Sequence, residues 1–362
     1  MSRQKRVMSS PYMQWAKGHV HAKYHLASSG VMNYPLSKLP VKLDDLEITG
    51  ESYYGYEPLQ EALARHCGVE KSQVFAALGT SFANHIAMAT LVEPGDEVLI
   101  EDPTYELITT TAQYLGGNVK RFPRRMENEF RIDPEEIRRK ITSTTRLIVL
   151  TNLHNPTSAY TDEETLLSIG KVARKARARV LVDEVYLDAA YDRSLRSAVH
   201  LGKEFVVTGS LTKAYGLNGL RCGWVLAEPD LVRRMWLLND LFLNIPPHAA
   251  ERLSVIALRN IETIRDWAQT IVTKNRKALL ELFVSRNDVD CFFPGKGTVV
   301  FPRWKNGNVE KLEGHLMQHY QTSIAPGEYF GMPSNFRVGC GGDPAMFHQG
   351  LHNLCRALDD LR

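Results

Sequence analysis

Thr208-Gly209-Ser210-Leu211-Thr212-Lys213-Ala214-Tyr215-Gly216-Leu217-Asn218-Gly219-Leu220-Arg221 follows directly on the apolar run Phe205-Val206-Val207. One lysine stands among small residues at the end of a strand-like segment, with an arginine further along the same loop. Lysine is the side chain that forms Schiff bases, and does so readily where cationic or desolvated surroundings lower its pKa. Ser210 and Arg221 add a hydroxyl donor and a guanidinium fork that matches phosphate. The stretch reads as a cofactor-anchoring loop at a strand end.

On either side of it the chain alternates between short apolar runs and helical segments. Strand patterns fall at Val74–Leu78, Glu97–Ile100, Val119–Phe122, Arg146–Thr151, Arg179–Asp183, Phe205–Gly209 and Arg221–Ala227. Helical patterns lie between them at Pro58–Cys67, Ser81–Leu91, Tyr105–Leu115, Pro134–Lys140, Asp162–Ala176 and Asp230–Leu238. This alternation predicts an α/β fold, a large domain with a mostly parallel seven-stranded sheet flanked by helices. Only a loop separates the last two strands, too little for a helical crossover, so the last is expected antiparallel. Residues 247–284 turn wholly helical and read as a bridge. Beyond them strand patterns (Asp290–Phe293, Thr298–Pro302, Ser323–Ala325, Asn335–Cys340) and helical ones (Val309–Gln321, Pro344–Leu361) predict a smaller α+β domain. Residues 1–45 show few regular patterns and read as an arm completing it. The expected division is therefore 46–273 for the large domain, with 1–45 and 274–362 forming the small one.

Composition sets the outer bounds. The 362 residues suffice for two cores. With 44% apolar and 23% charged residues and a net charge of +3, nothing favours nucleic acid or a membrane as partner. Five scattered cysteines without a C-x-x-C pair suggest neither a disulfide framework nor a zinc site. Twelve histidines show no metal-ligand spacing, so no metal is expected. The basic start lacks a following apolar run, and a cytoplasmic location is the expectation.

In an open parallel sheet, ligands collect at the carboxyl ends of the strands. Asn155 follows the strand ending at Thr151, Asp183 ends Val180-Leu181-Val182, and Lys213 follows Gly209, so three polar groups distant in sequence gather on one edge. Burying a lone carboxylate such as Asp183 is expensive unless a cation meets it. Glu184 should point to the other face. Tyr186 and Asn155 each offer a donor beside that edge. Gly79-Thr80-Ser81 opens a helix, whose first backbone N–H groups are free to hold an anion. Arg337, between apolar neighbours on a strand, wants a carboxylate, and its fork suits an α-carboxylate. Pro294-Gly295-Lys296-Gly297-Thr298 lacks the early glycine of a P-loop, and Gly339-Cys340-Gly341-Gly342 opens no dinucleotide unit.

Asn155-Pro156, then Asp183-x-x-Tyr186, then Ser210-x-Thr212-Lys213-x-x-Gly216-x-x-Gly219-x-Arg221 resembles, in order and spacing, the fold-type I pyridoxal-phosphate-dependent aminotransferases of class I/II. The resemblance runs from about Tyr53 to Arg337. It implies that pyridoxal 5′-phosphate is held by Lys213 as a Schiff base and that the freed amine is the general base. Asp183 would keep the ring nitrogen protonated, while Asn155 and Tyr186 tune the phenolate. Ser210, Arg221 and Gly79, Thr80 and Ser81 would hold the phosphate, with Tyr105 stacked on the ring. A tyrosine, taken as Tyr53, would reach the phosphate of the neighbouring subunit, which implies a homodimer. Arg337 would bind the carboxylate of an amino-acid or keto-acid substrate, with Asn155 and Gly30 beside it. The implied activity is an aminotransferase moving an amino group between an amino acid and a 2-keto acid.

Other reactions of the same cofactor compete with transamination, namely elimination by a lyase, decarboxylation or cyclisation of an amino acid. A non-catalytic ligand-sensing domain is a remoter alternative. The sequence departs from the family at Ser158, where glycine is usual, and at Ser28-Ser29-Gly30-Val31, which replaces the usual substrate loop. Leu243–Pro247 and Lys296–Thr298 are further candidates for lining the side-chain pocket. No arginine is clearly placed for a second carboxylate, which leans against a dicarboxylic substrate.

Overall fold

A computed structural model describes residues 7–305 and 307–362. The chain opens with helix α1 (Pro11–Gly18) and the short strand β1 (Tyr24–His25). The helix corrects the expectation of a patternless arm. Ser10 caps it, accepting from the Met13 N–H at 3.1 Å, and Pro11 occupies the first turn, where a missing N–H costs nothing. Helix α2 (Glu57–Cys67) also starts with a proline in its first turn and stops at Gly68, whose φ of +67° suits a left-handed cap.

Seven strands follow: β2 (Val74–Leu78), β3 (Glu97–Asp102), β4 (Asn118–Pro123), β5 (Thr145–Thr151), β6 (Arg179–Asp183), β7 (Phe205–Ser210) and β8 (Cys222–Leu226). They form one sheet in the order β2-β8-β7-β6-β5-β3-β4. Every pair is parallel except those made by β8, which runs antiparallel to both β2 and β7, as its short connection to β7 requires. The middle strands are buried on both faces, so Leu147, Ile148, Val149, Val180, Leu181, Val206 and Val207 are apolar without alternation. Burial of each such side chain contributes roughly 1.5–3 kcal/mol. Helices α3 (Gly79–Leu91), α4 (Glu106–Tyr114), α5 (Pro134–Lys140) and α6 (Glu163–Ala176), the short α7 (Thr212–Tyr215) and α8 (Pro229–Asn239) lie in the connections around the sheet.

The expected helical bridge is two helices, α9 (His248–Arg259) and α10 (Ile261–Val284), with the break at Asn260. Helix α10 runs from one core into the next. Ile264 belongs to the core around the sheet, whereas Ala268, Ile271, Val272, Leu279 and Phe283 belong to a second core. Around that second core lie β9 (Val289–Asp290), β10 (Val299–Val300), β11 (Arg303–Trp304), α11 (Val309–Tyr320), β12 (Thr322–Ser323), β13 (Ala325–Pro326), β14 (Phe336–Gly339) and α12 (Pro344–Asp360). The N-terminal segment adds Leu26 and Val31 to this core and pairs β1 in parallel with β12. The bounds 273/274 fall inside α10. Among the described residues no helix is long and apolar enough to cross a membrane.

Candidate active site

Strand order decides where the site forms. The chain goes from β3 out to the edge strand β4, then returns to place β5 on the other side of β3, so the topology switches between β3 and β5. A cleft opens at such a point beyond the carboxyl ends of the strands. Register aligns Thr151 with Asp183, and Asp183 with Thr208, in a row across β5, β6 and β7. A cavity of about 330 Å³ lies there, lined among others by Tyr12, Ser29, Asn84, Asn155, Lys213 and Arg337.

Lys213 sits in α7, ended by Gly216 at φ +67°. The loop 28–31 presses on it from the small-domain side. Val31 N–H donates to the Lys213 carbonyl at 2.8 Å, and a Cβ on Gly30 would stand 3.2 Å from Lys213 Cδ. Gly30 therefore touches the lysine stem rather than the cavity. Lys213 Nζ donates to Ser29 Oγ at 3.1 Å. Burial lowers the lysine pKa; Tyr12 opposes this, and the charges of Arg337 and Arg221 reinforce it. A lowered pKa leaves more free amine for attack on a carbonyl.

Asp183, only 4% exposed, accepts from Asn84 Nδ2 at 2.8 Å and from the Val185 N–H at 3.0 Å. Thr208 Oγ1 donates to Asn84 Oδ1 at 2.6 Å and so fixes which way the amide faces. Burial lifts the Asp183 pKa to about 6, partly offset by these donors. Glu184 does point to the other face, where it accepts from the Ala198 N–H at 2.8 Å and burial lifts its pKa to about 8. Tyr186 is buried beside Ser29, and burial raises its pKa too.

Asn155 is positioned by a buried network. Arg124 Nη1 donates to Glu101 Oε2 at 2.7 Å, with neither side chain exposed. Glu101 Oε1 accepts from the N–H and the hydroxyl of Thr151, both at 2.7 Å. The same Thr151 oxygen accepts from the Asn155 N–H at 3.0 Å. Ser158, the departure from glycine, keeps a positive φ of 59° and donates its hydroxyl to the Val299 carbonyl at 2.8 Å, tying this turn to β10.

The turn into α3 fits an anion. Among the described residues no side chain caps the helix and Thr80 Oγ1 is buried without a partner, while Gly79 starts the helix at φ +76°. Across from it a Cβ on Gly223 would come within 2.6 Å of the Gly79 backbone. Arg221, exposed and at φ +49°, donates from Nη2 to the Leu78 carbonyl at 3.3 Å. Ser81, Ser210 and Tyr105 also line the cavity. Tyr53 does not; it is 72% exposed.

From β14 the buried Arg337 donates to Asn155 Oδ1 at 3.0 Å, Tyr12 Oη at 2.9 Å and the Ala27 carbonyl at 3.0 Å. Among the described residues its Nε has no partner. Tyr12, Asn84, Thr151 and Thr208 were given no role in the sequence, and Ser29 was singled out only as part of the loop Ser28–Val31. Asn84 left a trace too, lying on α3 shortly after the Gly79 turn.

A buried lysine whose pKa is lowered, an uncapped helix start with an orphaned hydroxyl, and a buried carboxyl that needs a cation suit one ligand in particular. They define a pyridoxal-phosphate enzyme of fold type I. The chain belongs to the aminotransferase class I and II family, whose family model matches residues 49–354. It is 30% identical to capreomycidine synthase of Streptomyces vinaceus over 97% of this chain and 94% of that protein. A pyridoxal-phosphate-dependent aminotransferase from Streptococcus suis 89-1591 superposes with a TM-score of 0.93 at 22% identity, covering 99% of each chain. The pyridoxal-phosphate-dependent cyclase OrfR does so with a TM-score of 0.90 at 23% identity, again over 99% of each.

Proposed function

We propose that the protein is an aminotransferase that moves an amino group between an amino acid and a 2-keto acid. The observation that carries this is that Lys213 and Arg337, contributed by the two cores, line one cavity with Asn155 between them. Amino acid and keto acid present the same α-carboxylate, so one guanidinium serves both halves of the reaction. Pyridoxal phosphate, when bound, supplies an aldehyde and a ring that accepts electrons from the substrate Cα. Asp183 would face the ring nitrogen and hold its proton, with Asn84 keeping the carboxylate in place. Asn155 and Tyr186 would donate to the phenolate oxygen; the Gly79–Ser81 turn, Ser210 and Arg221 would hold the phosphate. Lys213 Nζ would hold the cofactor and would serve as the general base for the substrate's Cα proton. Tyr105 would cover the ring face.

Borohydride reduction followed by peptide mass mapping should place the label on Lys213. A label elsewhere, or none, ends the reading. A second reading, cyclisation of an amino acid, is favoured by the end-to-end likeness to capreomycidine synthase. Incubation with candidate amino acids separates the two: conversion of the cofactor to its pyridoxamine form supports transfer, whereas a ring product with the cofactor unchanged supports cyclisation. We also propose a homodimer in which Tyr53 reaches the partner's cofactor phosphate. The exposed apolar side chains of Leu237, Leu241 and Phe242 support it. Sedimentation equilibrium showing only monomer would sink this part.

A further inference from the structure

Arg337 carries five guanidinium N–H groups, and three are already in use. Both protons of Nη2 are committed, one to Tyr12 Oη at 2.9 Å and one to the Ala27 carbonyl at 3.0 Å. One proton of Nη1 goes to Asn155 Oδ1 at 3.0 Å. Left over are one Nη1 N–H and the Nε–H, the latter buried without a partner among the described residues. A carboxylate clasped by two terminal guanidinium nitrogens takes a proton from each, and here Nη2 has none free. Tyr12 Oη, however, accepts the Nη2 proton and keeps its own. Among the described residues that hydroxyl proton has no acceptor.

We propose that Tyr12 is a substrate-binding residue, and that its hydroxyl and an Arg337 N–H together form the fork that receives the substrate carboxylate. The inference rests on the amino-acid reading of the cavity. Tyr12 lines that cavity and is 7% exposed. Its ring is held on three sides, edge-on to Tyr105 at 5.6 Å and to Tyr329 at 5.7 Å, and tilted against Phe330 at 5.8 Å between centroids. The start of α1 is pinned as well. Glu106 Oε2 accepts from Ser10 Oγ at 2.7 Å and from the Tyr12 N–H at 2.8 Å. The hydroxyl thus has its oxygen fixed on Arg337 while its proton turns freely, so it donates to an arriving carboxylate without breaking the existing bond. Helix α1 becomes part of the substrate site rather than a cover over it.

Two oxyamines test this on the holoenzyme without knowledge of the natural substrate. Aminooxyacetate and methoxyamine both capture the bound aldehyde, and only the first has a carboxylate. Second-order rates come from the loss of the visible cofactor absorbance. Wild type should favour aminooxyacetate, and Tyr12→Phe should lower that preference about tenfold, the size of one hydrogen bond to a charged group, while the methoxyamine rate stays put. Arg337→Met should abolish the preference. If Tyr12→Phe keeps the full preference and Arg337→Met loses it, the role of Tyr12 is overturned and the reading of Arg337 stands. If Tyr12→Phe slows both reagents alike, the residue shapes the cavity only and the proposal again falls. A wild type without preference, unchanged in Arg337→Met, removes the carboxylate reading itself.

Discussion

Asp183 gives the site its pH dependence. Its pKa lies near 3.8 unfolded and about 6 in the fold. Between those values the folded state binds the extra proton, so this carboxyl's contribution to the stability of the cofactor-free protein falls as pH rises through this window and levels off above it. The cost is on the order of 3 kcal/mol. A protonated ring nitrogen beside the carboxylate would cancel it. The gain in thermal midpoint on adding pyridoxal phosphate should therefore grow from pH 4 to about pH 6 and then flatten; a gain that shrinks over this range would contradict the pairing. Asn84 donates directly to this carboxylate. Asn84→Ala should raise the cofactor's dissociation constant about tenfold or more, from loss of a charge-assisted hydrogen bond, measured by fluorescence titration.

Among the elements, the junction of β2, β8 and α3 is specified by a close backbone approach. Gly79 and Gly223 face each other across the β2–β8 pair, where Leu78 is in register with Cys222. A methyl on Gly223 would press on the Gly79 backbone at 2.6 Å, whereas one on Gly219 meets nothing within 4 Å. Gly223→Ala should cost roughly 1–3 kcal/mol by overpacking and weaken cofactor binding, because the strained backbone is the proposed phosphate turn. Gly219→Ala should leave both unchanged. Equal behaviour of the two variants in denaturant melts and cofactor titrations would dismiss this account. With the two-residue strands β1 and β11, α1 escaped sequence reading. Its Ser10-Pro11 start is a legible cap, but unlike the seven-residue α5, with acidic residues in its first turn and basic ones in its last, it has no acidic first turn, and what gives it purpose is contact with Glu106 and Arg337, far along the chain.

Across the whole molecule, the two cores meet at a network rather than at a single bond. The Arg124–Glu101 pair holds Thr151, Thr151 holds Asn155, and Asn155 meets Arg337 on β14. Arg124→Met would leave Glu101 as an uncompensated buried charge, costing about 3–5 kcal/mol. Urea unfolding should show that loss together with weaker binding of aminooxyacetate, since the Asn155 turn is released; an unchanged midpoint would show the pair to be idle. The seven strands, the antiparallel β8, Lys213 after β7 and Asp183 at the end of β6 were readable from the chain alone, because a strand buried on both faces must be continuously apolar and its end must be where polar groups resume. Ser158 was visible only as a departure; its bond to β10 explains how a side chain is used at a positive φ. Local pattern could determine the sheet, the lysine and the carboxylate, since each is written in consecutive residues. Tertiary structure alone decided that Tyr12, Ser29 and Asn84 join them, because hydrogen bonds spanning 325, 184 and 99 positions follow from how the cores pack and leave no period in the sequence.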